Sequence, residues 1–185
     1  MGGEIRIIGG QWKRTRLAVP DKPGLRPTPD RVRETLFNWL GQSLQGWSCV
    51  DPFAGTGALG LEAASRGAAQ VQLTEQDADL AKALQATVQR LKATAQVSVK
   101  RGDGVAALRS LSAASVDLVL LDPPFDANLF ETALKTARPG LRASGWLYLE
   151  APQAWGEATL APLGYSLHRH LKAGAVHAHL LQPLS

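Results

Sequence analysis

The tetrapeptide Asp122-Pro123-Pro124-Phe125 carries the clearest chemical signal in the chain, because it follows a run of apolar-leaning residues from Val116 to Leu121. A carboxylate at the C-terminal end of a buried parallel strand lies where open α/β sheets keep their ligands. Asp122 can accept a hydrogen bond or a proton from an amine, and Phe125 offers a flat apolar face to a planar ring. Pro123 and Pro124 restrict the backbone between them. Together the four residues describe a seat for a flat group bearing an amine. The bland alternative is a strand-end aspartate turning into a proline-rich loop, with Phe125 in the core.

A second constellation lies upstream. Asp51-Pro52-Phe53-Ala54-Gly55-Thr56-Gly57-Ala58-Leu59-Gly60 holds the spacing Gly55-x-Gly57-x-x-Gly60 directly after an expected strand and at the entry to a helix. The glycines allow a tight turn and close backbone approach, and the helix N-terminus presents free N–H groups to an acidic or polar ligand. Glu75, 20 residues beyond Gly55, ends the next expected strand, where a carboxylate can accept both hydroxyls of a ribose. Asp103, after a third strand, could meet an adenine amine. Asp51, Glu75, Asp103 and Asp122 thus stand at four successive strand ends, which points to a pocket for a small nucleoside.

Dinucleotide enzymes use the same glycine loop. Against nicotinamide chemistry stand the lack of an obvious second substrate domain, an amine acceptor that hydride transfer does not need, and a basic edge that invites a large anion. No Gly-x-x-x-x-Gly-Lys-Ser/Thr sequence is present, so an NTPase reading is poor.

The elements that must position these groups read as repeated strand, loop and helix. Ser48 to Val50, Val71 to Thr74, Gln96 to Lys100, Val116 to Leu121 and Gly145 to Leu149 are the expected strands. Gly57 to Ser65, Asp77 to Leu91, a short helix ending near Leu111 and Asn128 to Thr136 are the helices between them. This alternation predicts a mostly parallel sheet with helices on both faces. Ser166 to Leu171 and Val176 to Leu181 read as an antiparallel hairpin at the sheet edge, with His168, His170, His177 and His179 on one exposed face. Metal binding by these histidines is not expected, since no acidic partner accompanies them.

Ahead of this domain, Glu4 to Ile8 and Trp12 to Val19 are two expected short strands around Gly9-Gly10. Pro20 to Pro29 holds four prolines and one glycine and should form a loop over one edge of the domain. Thr28 is the expected cap of a helix in which Val32, Leu36, Trp39 and Leu40 form the buried stripe. The expected division is a basic N-terminal extension, residues 1–27, and a main domain, residues 28–185.

Length, charge and cysteine use bound the rest. At 185 residues the chain can bury a real core as one domain with a small appendage. The formal charge of +4 is confined to the first 40 residues, which hold eight Lys/Arg against four acids, while the remainder holds twelve of each. A basic, arginine-rich segment interleaved with Trp12 suits a polyanion, and nucleic acid above all. Cys49 is the only cysteine, which excludes an internal disulfide and fits a reducing cytoplasm. No apolar run approaches the roughly 20 residues of a membrane span, so neither secretion nor membrane insertion is expected.

These residues resemble a known family over almost the whole chain. Ile5-Arg6-Ile7-Ile8-Gly9-Gly10, Gly24-Leu25-Arg26-Pro27-Thr28, Asp30-Arg31-Val32-Arg33-Glu34-Thr35-Leu36-Phe37-Asn38-Trp39, Asp51 to Glu62 and Asp122 to Phe125 are similar to the bacterial small-subunit ribosomal RNA guanine-N2 methyltransferases. The Arg-Pro-Thr-x-Asp-Arg-Val-Arg-Glu block is specific to them. The Asp-Pro-Pro-Phe block is shared with adenine-N6 and protein glutamine methyltransferases.

The resemblance implies a Rossmann-like methyltransferase fold with a mostly parallel seven-stranded sheet, a C-terminal antiparallel hairpin, and S-adenosylmethionine as cofactor. By it, the loop from Asp51 through Phe53, Ala54, Gly55, Thr56 and Gly57 to Gly60 would hold the methionine part, Glu75 the ribose, and Asp103 or Gly104 the adenine. Asp122, with Pro123 and Pro124, would orient the guanine amine and take its proton, and Phe125 would stack on the base. Arg6, Lys13, Arg14, Arg16, Arg26, Arg31 and Arg33 would touch RNA phosphates. The implied partners are small-subunit ribosomal RNA and small-subunit ribosomal proteins, met by a monomer without metal or membrane contact. An adenine-N6 or other amine methyltransferase, or a non-catalytic RNA-binding protein on the same scaffold, are the alternatives.

Overall fold

In a computed structural model describing residues 3–125 and 128–185, the alternation of apolar strands and helices builds one seven-stranded sheet and a small two-stranded ribbon. Met1 and Gly2 of the expected N-terminal extension lie outside the described residues. The ribbon pairs β1 (Gly3–Arg6) with β2 (Arg16–Val19) and is followed by α1 (Asp30–Trp39). Then come β3 (Ser48–Asp51), α2 (Ala58–Ser65), β4 (Gln70–Glu75), α3 (Ala78–Arg90), β5 (Val97–Arg101), α4 (Gly104–Arg109) and β6 (Val116–Leu121). The chain ends with α5 (Phe130–Ala137), β7 (Leu141–Ala151), α6 (Glu157–Leu160), β8 (Tyr165–Ala173) and β9 (Val176–Pro183).

The strand order is β5-β4-β3-β6-β7-β9-β8; the first five strands in that order run parallel, and β9 runs antiparallel to both its neighbours. The expected mostly parallel sheet with a C-terminal antiparallel hairpin is what the chain forms. From β3 the chain winds outward through β4 and β5, then crosses back to β6 on the other side. The switch point therefore falls between the C-terminal ends of β3 and β6, where a crevice opens in such sheets.

Period-two alternation explains the continuous apolar run of β6. Leu118 and Leu120 join the core on one face with Ile7, Leu17, Leu36, Phe37 and Leu61, while Val119 and Leu121 join the core on the other with Val50, Phe130 and Leu149. All eight residues of α2 are buried, which is why they are mostly small.

The one acid among them, Glu62, ties the N-terminal ribbon down: its carboxylate accepts from the Ile8 N–H at 2.8 Å and the Gly9 N–H at 2.9 Å. Gly10, at φ +77°, lies so close that a Cβ there would meet the Ser65 carbonyl oxygen at 1.9 Å. Ile7 and Leu17 thus share the core of the main sheet.

Several expectations change. The second ribbon strand starts at Arg16, since residues 11–14 are taken up by a turn in which the Arg14 N–H donates to the Ile7 carbonyl at 2.8 Å. Helix α1 has no side-chain cap, because the Thr28 hydroxyl is drawn 122 residues away to Glu150. His179 is fully buried, because β9 lies between two strands with both faces covered. Its Nε2 accepts from the Trp155 N–H at 2.9 Å and its Nδ1 donates to the Leu149 carbonyl at 3.0 Å. Burial pushes its pKa down to about 4, which keeps the ring neutral. His168 and His170 are exposed, and His177 is half-buried.

Candidate active site

A cavity of about 470 Å³ opens at the switch point, a size suited to a nucleoside with a side arm. Its walls are the loop from Lys22 to Pro29, the loop from Asp51 to Thr56, Ala58 and Leu59 of α2, Glu75 to Asp77, Gly102 and Gly104, Asp122 to Phe125, Glu150 and Val176. The proline-rich loop is held over it by Lys22, whose ammonium pairs with Asp79 at 2.8 Å and Asp77 at 3.3 Å.

Strand ends β3, β4 and β6 deliver Asp51, Glu75 and Asp122 to one space, as the strand-end spacing predicts. One Asp51 oxygen accepts from the Gly60 N–H at 3.0 Å, which lashes the loop to the helix. The other, Oδ1, is buried without a partner among the described residues. Burial, with Glu75 and Glu150 nearby, lifts the Asp51 pKa to about 7 against the pull of the Gly60 N–H. Glu75 accepts from the Gly55 N–H at 2.9 Å and the Asp77 N–H at 2.7 Å, so its orientation is set before any ligand arrives.

These residues fit the ligand that the sequence resemblance implies. A lone buried carboxylate oxygen suits an ammonium group, and a carboxylate held by two amides still has lone pairs for a diol. S-adenosylmethionine carries both.

Not all expected cofactor residues line the cavity. Gly57 and Gly60 pack inward: a Cβ on Gly57 would meet Leu84 at 2.5 Å, and one on Gly60 would meet Leu73 at 2.2 Å. Their role is close packing of α2 on the sheet. Asp103 is exposed and caps α4, its carboxylate accepting from the Ala106 N–H at 2.9 Å, and only its neighbours Gly102 and Gly104 reach the wall. Phe53, Ala54, Gly55 and Thr56 do line it.

In the same cavity, Asp122 is half-buried beside Glu150. Burial raises its pKa well above the usual carboxylate range; the charge of Glu150, a hydrogen bond to Glu150 and the charge of Asp51 add to the rise, and Arg26 opposes it. Phe125 leans on Phe130 at 6.1 Å between ring centres, and Phe130 on Trp155 at the same distance.

Glu150 was not among the expected site residues. The signal was present: it directly follows the expected strand Gly145 to Leu149, and β7 in fact runs to Ala151. The strand-end rule that singled out Asp122 applies to it equally.

The basic residues divide. Arg6, Lys13, Arg14, Arg16, Arg26 and Arg31 are exposed. Arg33 is fully buried: its guanidinium donates to the Thr28 carbonyl at 3.0 Å and the Arg6 carbonyl at 2.9 Å, and pairs with Glu62 at 3.3 Å and with Asp30. It is a structural clamp and cannot reach an RNA phosphate. Among the described residues no group of three or more metal-ligating side chains forms, and no helix is long and apolar enough to cross a membrane.

Comparison with known proteins matches residues 5–182 to the family described as Conserved hypothetical protein 95. The chain is 43% identical to Ribosomal RNA small subunit methyltransferase D of Escherichia coli strain K12, over 97% of this chain and 90% of that protein. The namesake from Haemophilus influenzae is 37% identical, over 97% and 94%. A candidate methyltransferase of Escherichia coli with a solved structure superposes with a TM-score of 0.83 at 38% identity, covering 98% of this chain and 99% of that one.

Proposed function

We propose, on the premise that this chain belongs to the Conserved hypothetical protein 95 family, that it is an S-adenosylmethionine-dependent methyltransferase acting on small-subunit (16S) ribosomal RNA. The target is the exocyclic N2 amine of a guanine, in an assembled or assembling subunit. The observation that carries this reading is that Asp122-Pro123-Pro124-Phe125 opens into the same cavity as Asp51 and Glu75, so an amine seat adjoins a nucleoside seat.

S-adenosylmethionine, when bound, supplies an electrophilic methyl group on a positively charged sulfur. Asp51 Oδ1 and the loop from Phe53 to Thr56 hold its amino-acid end, Glu75 takes the ribose hydroxyls, and Gly102 and Gly104 leave room for the adenine. At the amine end, Asp122 and the Pro123 carbonyl accept the two N–H groups, which turns the nitrogen lone pair toward the methyl group. The guanine N2 lone pair is delocalised into the ring, and acceptors that strengthen as the nitrogen becomes positive favour the transition state. Phe125 stacks on the base, which at about 1–3 kcal/mol offsets part of the cost of drawing it out of a helix or stack. A carboxylate of ordinary pKa is a poor base for a neutral amine, and the raised pKa of Asp122 brings it closer to the task.

Arg6, Lys13, Arg14, Arg16, Arg26 and Arg31 engage RNA phosphates, with residues 1–27 as the RNA-binding extension of a methyltransferase domain over 28–185. The protein works as a cytoplasmic monomer, and small-subunit proteins supply the rest of the recognition surface.

The test is to incubate the protein and labelled S-adenosylmethionine with undermethylated small subunits, free ribosomal RNA and DNA, digest each, and identify the product by mass spectrometry. N2-methylguanine from the subunits is the expected result. Label in N6-methyladenine rejects the guanine assignment. RNA binding without S-adenosylmethionine binding in calorimetry rejects the enzyme in favour of a silent RNA binder.

A further inference from the structure

Glu150 has an environment that nothing in the site's cofactor or RNA contacts explains. Leu121 pairs with Leu149 across β6 and β7, which sets Asp122 and Glu150 level at adjacent strand ends. Glu150 is 4% exposed, and its donors are hydroxyls: Tyr148 Oη donates to Oε1 at 3.0 Å and Thr28 Oγ1 to Oε2 at 3.0 Å. Asp122 lines the same cavity one strand over, on the same face of the sheet as Glu150. Two neighbouring carboxyl groups drawn out of water repel each other when both are ionised, and a single proton held between them relieves that repulsion.

We propose that Asp122 and Glu150 hold one proton between them in the resting site, and that Glu150 is thereby the positioning residue that aims Asp122 at the amine and makes it a stronger proton acceptor. This rests on the methyltransferase reading above and deepens it. Every group facing the pair acts on its charge. From β3, Asp51 adds negative charge; from β7, Tyr148, and from the proline-rich loop, Thr28, donate hydroxyl hydrogen bonds to the Glu150 carboxyl group; Arg26, from the same loop, opposes the build-up of negative charge on Asp122. The burial of both carboxyl groups and their mutual repulsion hold Asp122 well above the usual carboxylate range.

The balance closes on the resting state. The pair first releases its shared proton to solvent. As the nitrogen–methyl bond forms and the methyl–sulfur bond breaks, the electron pair of the broken bond stays on sulfur and the nitrogen becomes positive. Its proton passes to Asp122 and is shared with Glu150, so the pair returns to one proton and the methylated amine is neutral.

Infrared spectroscopy of the ligand-free protein tests the pair without any reaction. At neutral pH, with the band of Asp51 removed by an Asp51→Asn background, the protein is expected to show the carbonyl band of a protonated carboxyl group that disappears on adding either Glu150→Gln or Asp122→Asn, because each leaves one ionised carboxylate with an amide donor. Asp51→Asn identifies the separate contribution of Asp51. In single-turnover methylation, Glu150→Gln is expected to move the acid limb of the pH profile to lower pH and to lower the plateau about 10-fold, with cofactor affinity and substrate KM held, and Glu150→Asp to restore part of the loss.

Should Glu150→Gln fail to fold, Thr28→Val and Tyr148→Phe each remove one donor to the ionised form, so the band should persist to higher pH than in the wild type. In the Asp51→Asn background, a band that survives Glu150→Gln, or a band whose pH midpoint stays put in both donor variants, overturns the proposal. If no nucleic acid is methylated, the substrate reading fails, while the infrared result still decides the pair.

Discussion

The guanidinium carbon of Arg26 lies 4.5 Å from the centre of the Phe125 ring, a cation–π contact over the side chain on which the target base should stack. Arg26 therefore covers the face that the proposed base would need, and the ring beneath it leans on Phe130, which leans in turn on Trp155.

Changing the seat should act on turnover more than on cofactor binding. Phe125→Tyr keeps the stacking face and should retain most activity, whereas Phe125→Leu should lose about 10-fold or more in kcat/KM, from stacking worth about 1–3 kcal/mol. Single-turnover assays on undermethylated subunits, beside calorimetry with S-adenosylmethionine, separate the two effects. Equal losses in both variants would remove stacking from the account.

Asp122→Asn and Asp122→Ala should each lower turnover by about 10²–10⁴-fold while the cofactor still binds, since the proton acceptor is lost and the ribose and amino-acid contacts are not. Near-normal turnover in either variant, with normal cofactor affinity, sinks the assignment of Asp122.

Arg33 and its exposed neighbour Arg31 should behave in opposite ways. Arg31→Ala and Lys13→Ala should each reduce the slope of log affinity against log salt for RNA by about 0.7–0.9, as expected for one lost phosphate contact. Arg33→Ala should cost about 1–3 kcal/mol in urea unfolding, because it leaves the Thr28 and Arg6 carbonyls without their buried donor while Glu62 keeps Arg66 at 2.8 Å, and should leave the slope unchanged in whatever fraction remains folded. Filter binding across a salt series and denaturant melts read these out.

The pKa of Asp51 sets a pH window for stability. Its value is about 7 in the folded protein against an ordinary carboxylate value of 3.8, so the folded state binds more protons than the unfolded between those limits. Its contribution to stability is then fully present near pH 4 and is lost as pH rises to about 7. Asp51→Asn removes the charge without changing the shape. Its melting temperature should exceed that of the wild type at pH 8 and match it more closely at pH 5, while its affinity for S-adenosylmethionine falls. A variant no more stable than the wild type at pH 8 would show that Asp51 is not held against its own charge.

The residues alone determined the alternation of strands and helices, the parallel sheet, and the acids that end β3, β4 and β6. These are local properties: a period of two or 3.6 residues and a glycine or acid at its end can be read along one stretch of chain. Which groups meet was decided only by tertiary structure. Arg31 and Arg33 stand two positions apart on one helix and look alike in sequence, yet only Arg33 faces Glu62 and the Arg6 carbonyl. His177 and His179 alternate in the same register, but only the second is boxed in by Trp155 and Leu149. Thr28 has the makings of a helix cap, and its hydroxyl instead serves a carboxylate 122 residues later. Burial turns a charge or a hydroxyl from a solvated group into one that must find a partner, and that partner is chosen by the packing of distant segments, which no local pattern encodes.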